Sequence, residues 1–234
     1  MDKYNRTPHL TWSPGGTNDD KRIVTLDGLL NREIVITEKV DGSNVCLEHD
    51  AVYARSHAKA PKHPSFDALK ALHAQVKSGI PEGIQIFGEW CYAKHSIEYT
   101  RLPSYLLLFG VRHLDLVDGL HSTRVTRSWE PWELVEDWAE QLEVATVPLL
   151  GRFSVTTENQ LKEVTDRFTT APSALGGVRE GVVVRVAGSF GDSEFSTSVA
   201  KWVRKDHVST SDHWSHQEIA RNKLADRWSF LEES

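Results

Sequence analysis

Two strand-like runs meet at Lys39-Val40-Asp41-Gly42, and this junction constrains the chain more than any other feature. Upstream, Glu33-Ile-Val-Ile-Thr37 reads as a strand; downstream, Asn44-Val-Cys-Leu-Glu48 reads as another, with an Asp-Gly turn between them. A lysine at a strand end has few rotamers and a fixed aim, as an amine nucleophile requires. Its ordinary pKa of about 10.4 means that the site must favour the neutral form through desolvation or nearby cations. Taken alone, Lys-x-Asp-Gly is more often an ordinary hairpin turn carrying a solvated lysine.

The rest of the chain alternates between strand and helix patterns. Residues 1–32 are polar and turn-rich, an irregular lead-in. Strands are predicted over 33–40, 43–49 and 51–55, then over 84–91 and 104–111, and finally over 181–187 and 196–205. Helical spacing of Phe66, Leu69, Leu72 and Val76 predicts a helix over 65–78. Pro131 starts another over 131–142, with Trp132, Val135, Trp138 and Leu142 on one face. Those tryptophans read as core, not as a base-stacking platform. A third helix covers 157–168, and a last amphipathic one runs through 212–228. Periodicity alone gives an α+β protein in one domain.

Composition narrows the class. With 39% hydrophobic and 26% charged residues in 234, the chain is globular and buries a sizeable core. It carries neither a membrane-length apolar run nor a signal-peptide pattern, so a cytoplasmic protein without membrane partners is expected. Cys46 and Cys91 sit on predicted strands as buried, reduced thiols. The 11 histidines show no metal-ligand spacing, so no zinc site is assigned. A net charge of −6 argues against a constitutive tight nucleic-acid binder but allows a local basic cleft. Arg55, Lys59, Lys62, Arg185, Lys201, Arg204 and Lys205 are its candidates, against the alternative that several are solvated surface charges.

Four further segments follow the lysine in order: Arg55-Ser56, Phe87-Gly-Glu89-Trp90, Glu180-Gly-Val-Val-Val-Arg185 and Ala200-Lys201-Trp-Val-Arg204-Lys205. With these five motifs, from about residue 33 to about 205, the chain resembles the ATP-dependent RNA ligases. Glu38 before the lysine and Asn44 after it resemble the RNA ligase 2-like branch of the covalent nucleotidyltransferases. The resemblance implies an α+β, ATP-grasp-like nucleotidyltransferase domain. Its sheets would be mostly antiparallel, flanked by helices, with the nucleotide cleft between them.

It also implies a role for each motif. Lys39 would attack the α-phosphate of ATP and form lysyl-AMP. Asp41 and Gly42 would shape the turn, with Asp41 also orienting the lysine or a ribose hydroxyl. Glu38 would belong to the nucleotide site. Arg55 would contact ribose or phosphate, Glu89 the ribose, and Phe109 the adenine face, with a core phenylalanine as the alternative. Glu180 would act on metal-bound water, with Mg²⁺ or Mn²⁺ as the cation. Lys201 would contact the α-phosphate. The usual second lysine two residues later is replaced here by Val203. A bulge near Trp202-Val203 is expected to return Arg204 to the cleft, with Lys205 as the alternative. Asn44 would help to activate the 5′-phosphate end.

The activity implied is RNA end joining, transferring AMP to a 5′-phosphate and then sealing it to a 3′-hydroxyl. DNA on one side of the join, a capping-type or DNA-ligase activity, and a non-catalytic nucleotide- or RNA-binding module are the alternatives. Only about 29 residues follow Lys205, too few for the oligonucleotide-binding barrel of DNA ligases and capping enzymes. A minimal catalytic domain is therefore expected, with a protein partner as one source of nucleic-acid specificity.

Overall fold

The computed structural model describes residues 3–16, 20–55, 60–118, 123–205 and 219–226. Its strands form two sheets. The smaller is antiparallel, in the order β11 (Val199–Val203), β9 (Gly181–Val186), β1 (Arg32–Lys39), β8 (Leu149–Val155). The larger runs β10 (Phe190–Gly191), β6 (Thr123–Trp129), β5 (Leu106–Asp118), β4 (Ile84–Trp90), β2 (Ser43–Leu47), β3 (Val52–Ala54), with β7 (Ala145–Thr146) pairing in parallel with β5.

The lysine junction is not a hairpin. β1 belongs to the smaller sheet and β2 to the larger, so Val40-Asp41-Gly42 carries the chain from one sheet to the other. A two-residue turn pattern is local, whereas the hydrogen-bond partners on each side are not. β1 finds β9 and β8, and β2 finds β4 and β3. The junction thus sits where the two sheets meet.

Helices cover the outer faces. The helix predicted over 65–78 is α1 (Asp67–Val76), led in by a 3-10 turn at Pro64–Phe66. α2 (Trp132–Gln141) has Pro131 as its N-cap, and Trp132, Val135 and Leu142 are buried as expected. α3 (Glu158–Thr169) opens with a capping box between Thr157 and Gln160. A one-turn helix, α4 (Phe195–Ser198), precedes β11 and shortens the strand expected from 196. One core cluster includes Val45, Leu47 and Ile86 of the larger sheet with Leu69 of α1 and Trp132 of α2. A second includes Ile34, Ile36, Val182, Leu161 of α3, Phe87 and Phe195. Phe109 packs against both.

Other elements differ from the sequence expectation. The strand predicted over 104–111 continues to Asp118 and pairs with β6, which alternation did not reveal. β8, also unanticipated, is an edge strand whose residues, apart from Val155, are exposed or only partly buried, so it lacks the apolar alternation that marks a strand. Of the helix predicted over 212–228, only 219–226 lie within the described residues. They form isolated bridges, Arg221 with Ala93 and Leu224 with Leu102, not helix. Among the described residues, no helix is long and apolar enough to cross a membrane.

Candidate active site

Two cavities of about 670 and 750 Å³ share Lys39, Asn44, Arg55, Glu89 and Lys201 in their walls. Both volumes lie in the range of small-molecule sites. The smaller sheet supplies Lys39 at the end of β1, Lys201 on β11, and Glu180 just before β9. The larger supplies Asn44 on β2, Glu89 on β4 and Phe109 on β5.

Lys39 Nζ lies 2.5 Å from Glu180 Oε1, with Glu180 almost fully buried and the lysine about a quarter exposed. Burial alone would push the ammonium pKa down. The carboxylates of Glu180 first, then Glu89 and Asp41, more than offset this, so the Lys39 pKa is raised. At neutral pH the resting lysine is therefore an ammonium.

Gly42 is required by close approach. A Cβ there would meet Trp90 O at 2.8 Å, Glu89 Cγ at 3.0 Å and Cys91 Sγ at 3.2 Å. The Gly42 N–H donates to Glu89 Oε1 at 3.0 Å, so the turn itself aims the carboxylate. Burial pushes the Glu89 pKa up to about 8, against the opposing charge of Lys39 and with help from Glu180 and Asp41.

Phe109 reaches the cleft through a β-bulge. Gly110 pairs with Phe87 and Leu108 with Gly88, leaving Phe109 unpaired between them. An unpaired bulge residue re-aims its side chain. Phe109 lines the first cavity, and its ring meets Tyr4 edge-on at 5.0 Å.

Two expected nucleotide contacts have other work. The Glu38 carboxylate is fully buried and points away from Lys39, onto Ser173, Ala174 and Arg179; only its backbone can meet a ligand in the first cavity. Asp41 Oδ2 accepts from Ser96 N, Ser96 Oγ and Ile97 N at 2.7–3.0 Å, which ties the junction to the 96–97 segment.

The bulge expected near Trp202-Val203 is absent. β11 pairs with β9 in unbroken register from Val199 to Val203, so Lys201 and Val203 share the cleft side and position 204 falls opposite. Neither Arg204 nor Lys205 lines either cavity. Arg185 does line the first, but its guanidinium donates to the carbonyls of Val186, Phe109 and Glu130 and lies over the rings of Trp132 and Phe190. Lys62 lines the second cavity; Ser56 and Lys59 lie outside the described residues.

The lead-in contributes residues that the sequence did not single out. Pro8 O accepts from Lys201 N at 2.9 Å, Leu10 N donates to Lys201 O at 2.8 Å, and Gly15 N donates to Val203 O at 2.9 Å. These bonds extend the smaller sheet beyond β11 and fix the Lys201 backbone. His9 and Asp20 stand beside it. Burial lowers the Lys201 pKa, as does the charge of Lys39, with Asp20 and Glu180 opposing. Lead-in residues carry no motif, and only tertiary pairing brings them here.

Among the described residues no group of three His, Cys, Asp or Glu side chains forms a metal cage. Mg²⁺ keeps several waters and takes one or two carboxylates plus substrate phosphates. Glu180 and Glu89, beside Lys39, fit that donor set.

Solved structures of similar fold include a Naegleria gruberi RNA ligase mutant with ATP and Mn, 14% identical with a TM-score of 0.50, which covers 81% of this chain and 56% of its own. A putative ATP-dependent DNA ligase from Aquifex aeolicus is 18% identical with a TM-score of 0.51, covering 87% and 50%. An archaeal ATP-dependent RNA ligase is 14% identical with a TM-score of 0.50, covering 87% and 48%. The chain thus spans about half the length of these structures, and at such identities the likeness is one of fold, a nucleotidyltransferase fold of antiparallel sheets with few helices. No curated protein sequence matched. The RNA ligase family model matches residues 32–203, from the first residue of β1 to the last of β11 and with all the cleft side chains of both sheets between them, and the chain belongs to that family.

Proposed function

We propose that this chain is an ATP-dependent RNA ligase that works through a lysyl-AMP intermediate. The observation that carries the reading is Lys39, held 2.5 Å from Glu180 in the wall shared by two cavities. ATP would occupy the first cavity, its base against Phe109 and its ribose toward Glu89. Lys39 Nζ then bonds to the α-phosphorus as the bond to the β-bridging oxygen breaks and pyrophosphate leaves. The ammonium must first lose a proton, and Glu180 is the nearest acceptor. Lys201 would neutralise charge on the α-phosphate. A divalent cation on the Glu180 and Glu89 side would offset the remaining phosphate charge.

AMP would next pass from Lys39 to the 5′-phosphate of an RNA end, and attack by a 3′-hydroxyl would release it. The second cavity, with Lys62, His63 and Arg55 in its wall, would take that end. Asn44 lines both cavities, and its buried Oδ1 has no hydrogen-bond partner among the described residues, which suits a group that meets substrate in the later steps.

The test is incubation with α-labelled ATP and Mg²⁺, followed by a denaturing gel, with GTP and NAD in parallel. Wild type should carry covalent AMP. Lys39→Ala should carry none while staying folded, and so should Lys39→Arg, whose guanidinium stays protonated. Covalent AMP on folded Lys39→Ala would overturn the assignment. Joining assays with 5′-phosphorylated RNA and DNA ends then separate the substrate classes.

A further inference from the structure

The residue before Lys39 and the residue before Glu180 form a second ion pair with the charges exchanged. Glu38 Oε2 lies 3.3 Å from Arg179 Nε, and both side chains are almost fully buried. Glu38 and Lys39 are consecutive at the end of β1, and Arg179 and Glu180 are consecutive before β9. Neighbouring strand residues point to opposite faces. Lys39–Glu180 therefore faces the cleft, and Glu38–Arg179 faces the interior.

The inner pair is anchored in turn. Glu38 also accepts from Ser173 Oγ at 2.5 Å and from Ala174 N at 3.1 Å. Arg179 Nη1 donates to Phe168 O in the last turn of α3 at 2.8 Å. The segment between them turns at Gly176 and Gly177, whose φ values are +80° and +85°. A Cβ on Gly177 would meet Glu98 O at 2.6 Å, so the segment is pressed against residues 98–100. Leu175 O accepts from both Thr100 N and Arg101 N. Asp41 holds the adjoining Ser96 and Ile97 from the other side of the junction. Lys39 is thus enclosed by a closed ring of contacts, from Glu38 through 173–175, 100–101 and 96–97 to Asp41.

We propose that Glu38 and Arg179 are positioning residues that act through this buried, charge-exchanged pair to hold Lys39 and Glu180 in line for adenylylation. Their side chains are buried away from the cavities. Nucleophile placement is sensitive, a misplacement of about 1 Å costing on the order of 100-fold in rate. Losing the pair should therefore lower the rate of lysyl-AMP formation at saturating ATP and leave the ATP dependence nearly unchanged. The inference rests on the proposed function above.

The experiment is single-turnover self-adenylylation of wild type, Arg179→Gln, Arg179→Lys and Ser173→Ala, over ATP concentration. Arg179→Gln should be slower by about 10- to 100-fold, with the half-saturating ATP within about twofold. Arg179→Lys, which keeps the cation, should recover part of the rate. If Arg179→Gln does not fold, Ser173→Ala decides: a slower rate at saturating ATP supports the pair, and a wild-type rate overturns it. A folded Arg179→Gln with the wild-type rate, or with a loss confined to ATP affinity, also overturns it.

A second readout does not depend on ligase activity. Competitive acylation with acetic anhydride, followed by mass spectrometry, reports the pH at which Lys39 becomes a free amine. Misalignment from Glu180 should move that midpoint down in Arg179→Gln. Loss of the guanidinium's field alone would move it up, and an upward or absent shift counts against the proposal. If wild type forms no covalent AMP, the proposed function fails, and this midpoint still decides the positioning claim.

Discussion

At the scale of single residues, the proposed reaction is an exchange of partners. Lys39 rests against Glu180, and the same carboxylate would be the nearest base when nucleotide arrives. Lys201 is the one basic residue of the last motif that lines the cavities. Lys201→Ala should therefore slow AMP transfer by tenfold or more, as expected for loss of a charge-assisted bond of about 1.5–3 kcal/mol in the transition state. Arg204→Ala should stay near wild type in the same single-turnover assay. A large defect in Arg204→Ala would mean that the strand end rearranges when nucleotide binds. Asn44→Ala should form lysyl-AMP at close to the normal rate but seal slowly once adenylylated. Equal losses in both steps would assign Asn44 to the nucleotide pocket or the fold.

At the scale of elements, each sheet contributes part of the candidate site, and three local devices bring the parts together. The junction 40–42 crosses between sheets, the β5 bulge turns Phe109 inward, and the lead-in pairs with β11. Ser13 illustrates the last. Its Oγ accepts from Val203 N at 2.9 Å and lies 2.9 Å from His9 Nδ1, both in buried surroundings. Ser13→Ala leaves a buried N–H without its acceptor and should cost about 1–3 kcal/mol in a denaturant titration. Deleting residues 1–15 should go further, exposing the edge of β11 and slowing adenylylation through Lys201. A truncated protein with full stability and rate would show that β11 holds its place unaided.

At the scale of the whole molecule, buried His9 and partly buried Glu89 give the stability opposite slopes with pH. Burial lowers the His9 pKa to about 4, and the nearby charge of Lys201 adds to the effect. The unfolded chain takes up that proton near pH 6.5, so the stability tied to neutral His9 is present above about 6.5 and is lost as pH falls toward 4. Glu89 runs the other way. Its folded pKa of about 8 lies above the ordinary carboxylate value, so its contribution is full at low pH and falls as pH rises through about 8. His9→Gln should flatten the loss of melting temperature between pH 6.5 and 4. Glu89→Gln should melt progressively higher than wild type as pH rises from 5 to 9, by about 2–4 °C for each kcal/mol in a chain of this size. Melting curves of both variants across pH check the signs, and a Glu89→Gln advantage that shrinks with pH would contradict the burial of that carboxylate.

The sequence by itself determined the local periods. Alternating apolar residues in 33–37 and 84–90, and helical spacing around Trp132 and Leu161, specify elements that the fold then uses. It also carried the motif side chains Lys39, Glu89, Glu180 and Lys201, because chemistry limits which residue types can serve. Only the tertiary structure decided which sheet each strand joins, since hydrogen-bond partners far apart in the chain leave no local trace. That is why an apparent hairpin at Asp41-Gly42 is a crossover, why β6 and the edge strand β8 carry no clear local signal, and why Arg204 is not on the cleft side. It decided too that the Glu38 and Asp41 carboxylates serve the frame of the site. A side chain's partner depends on what the fold packs against it, and residues 173–179 and 96–97 reach the lysine only in three dimensions.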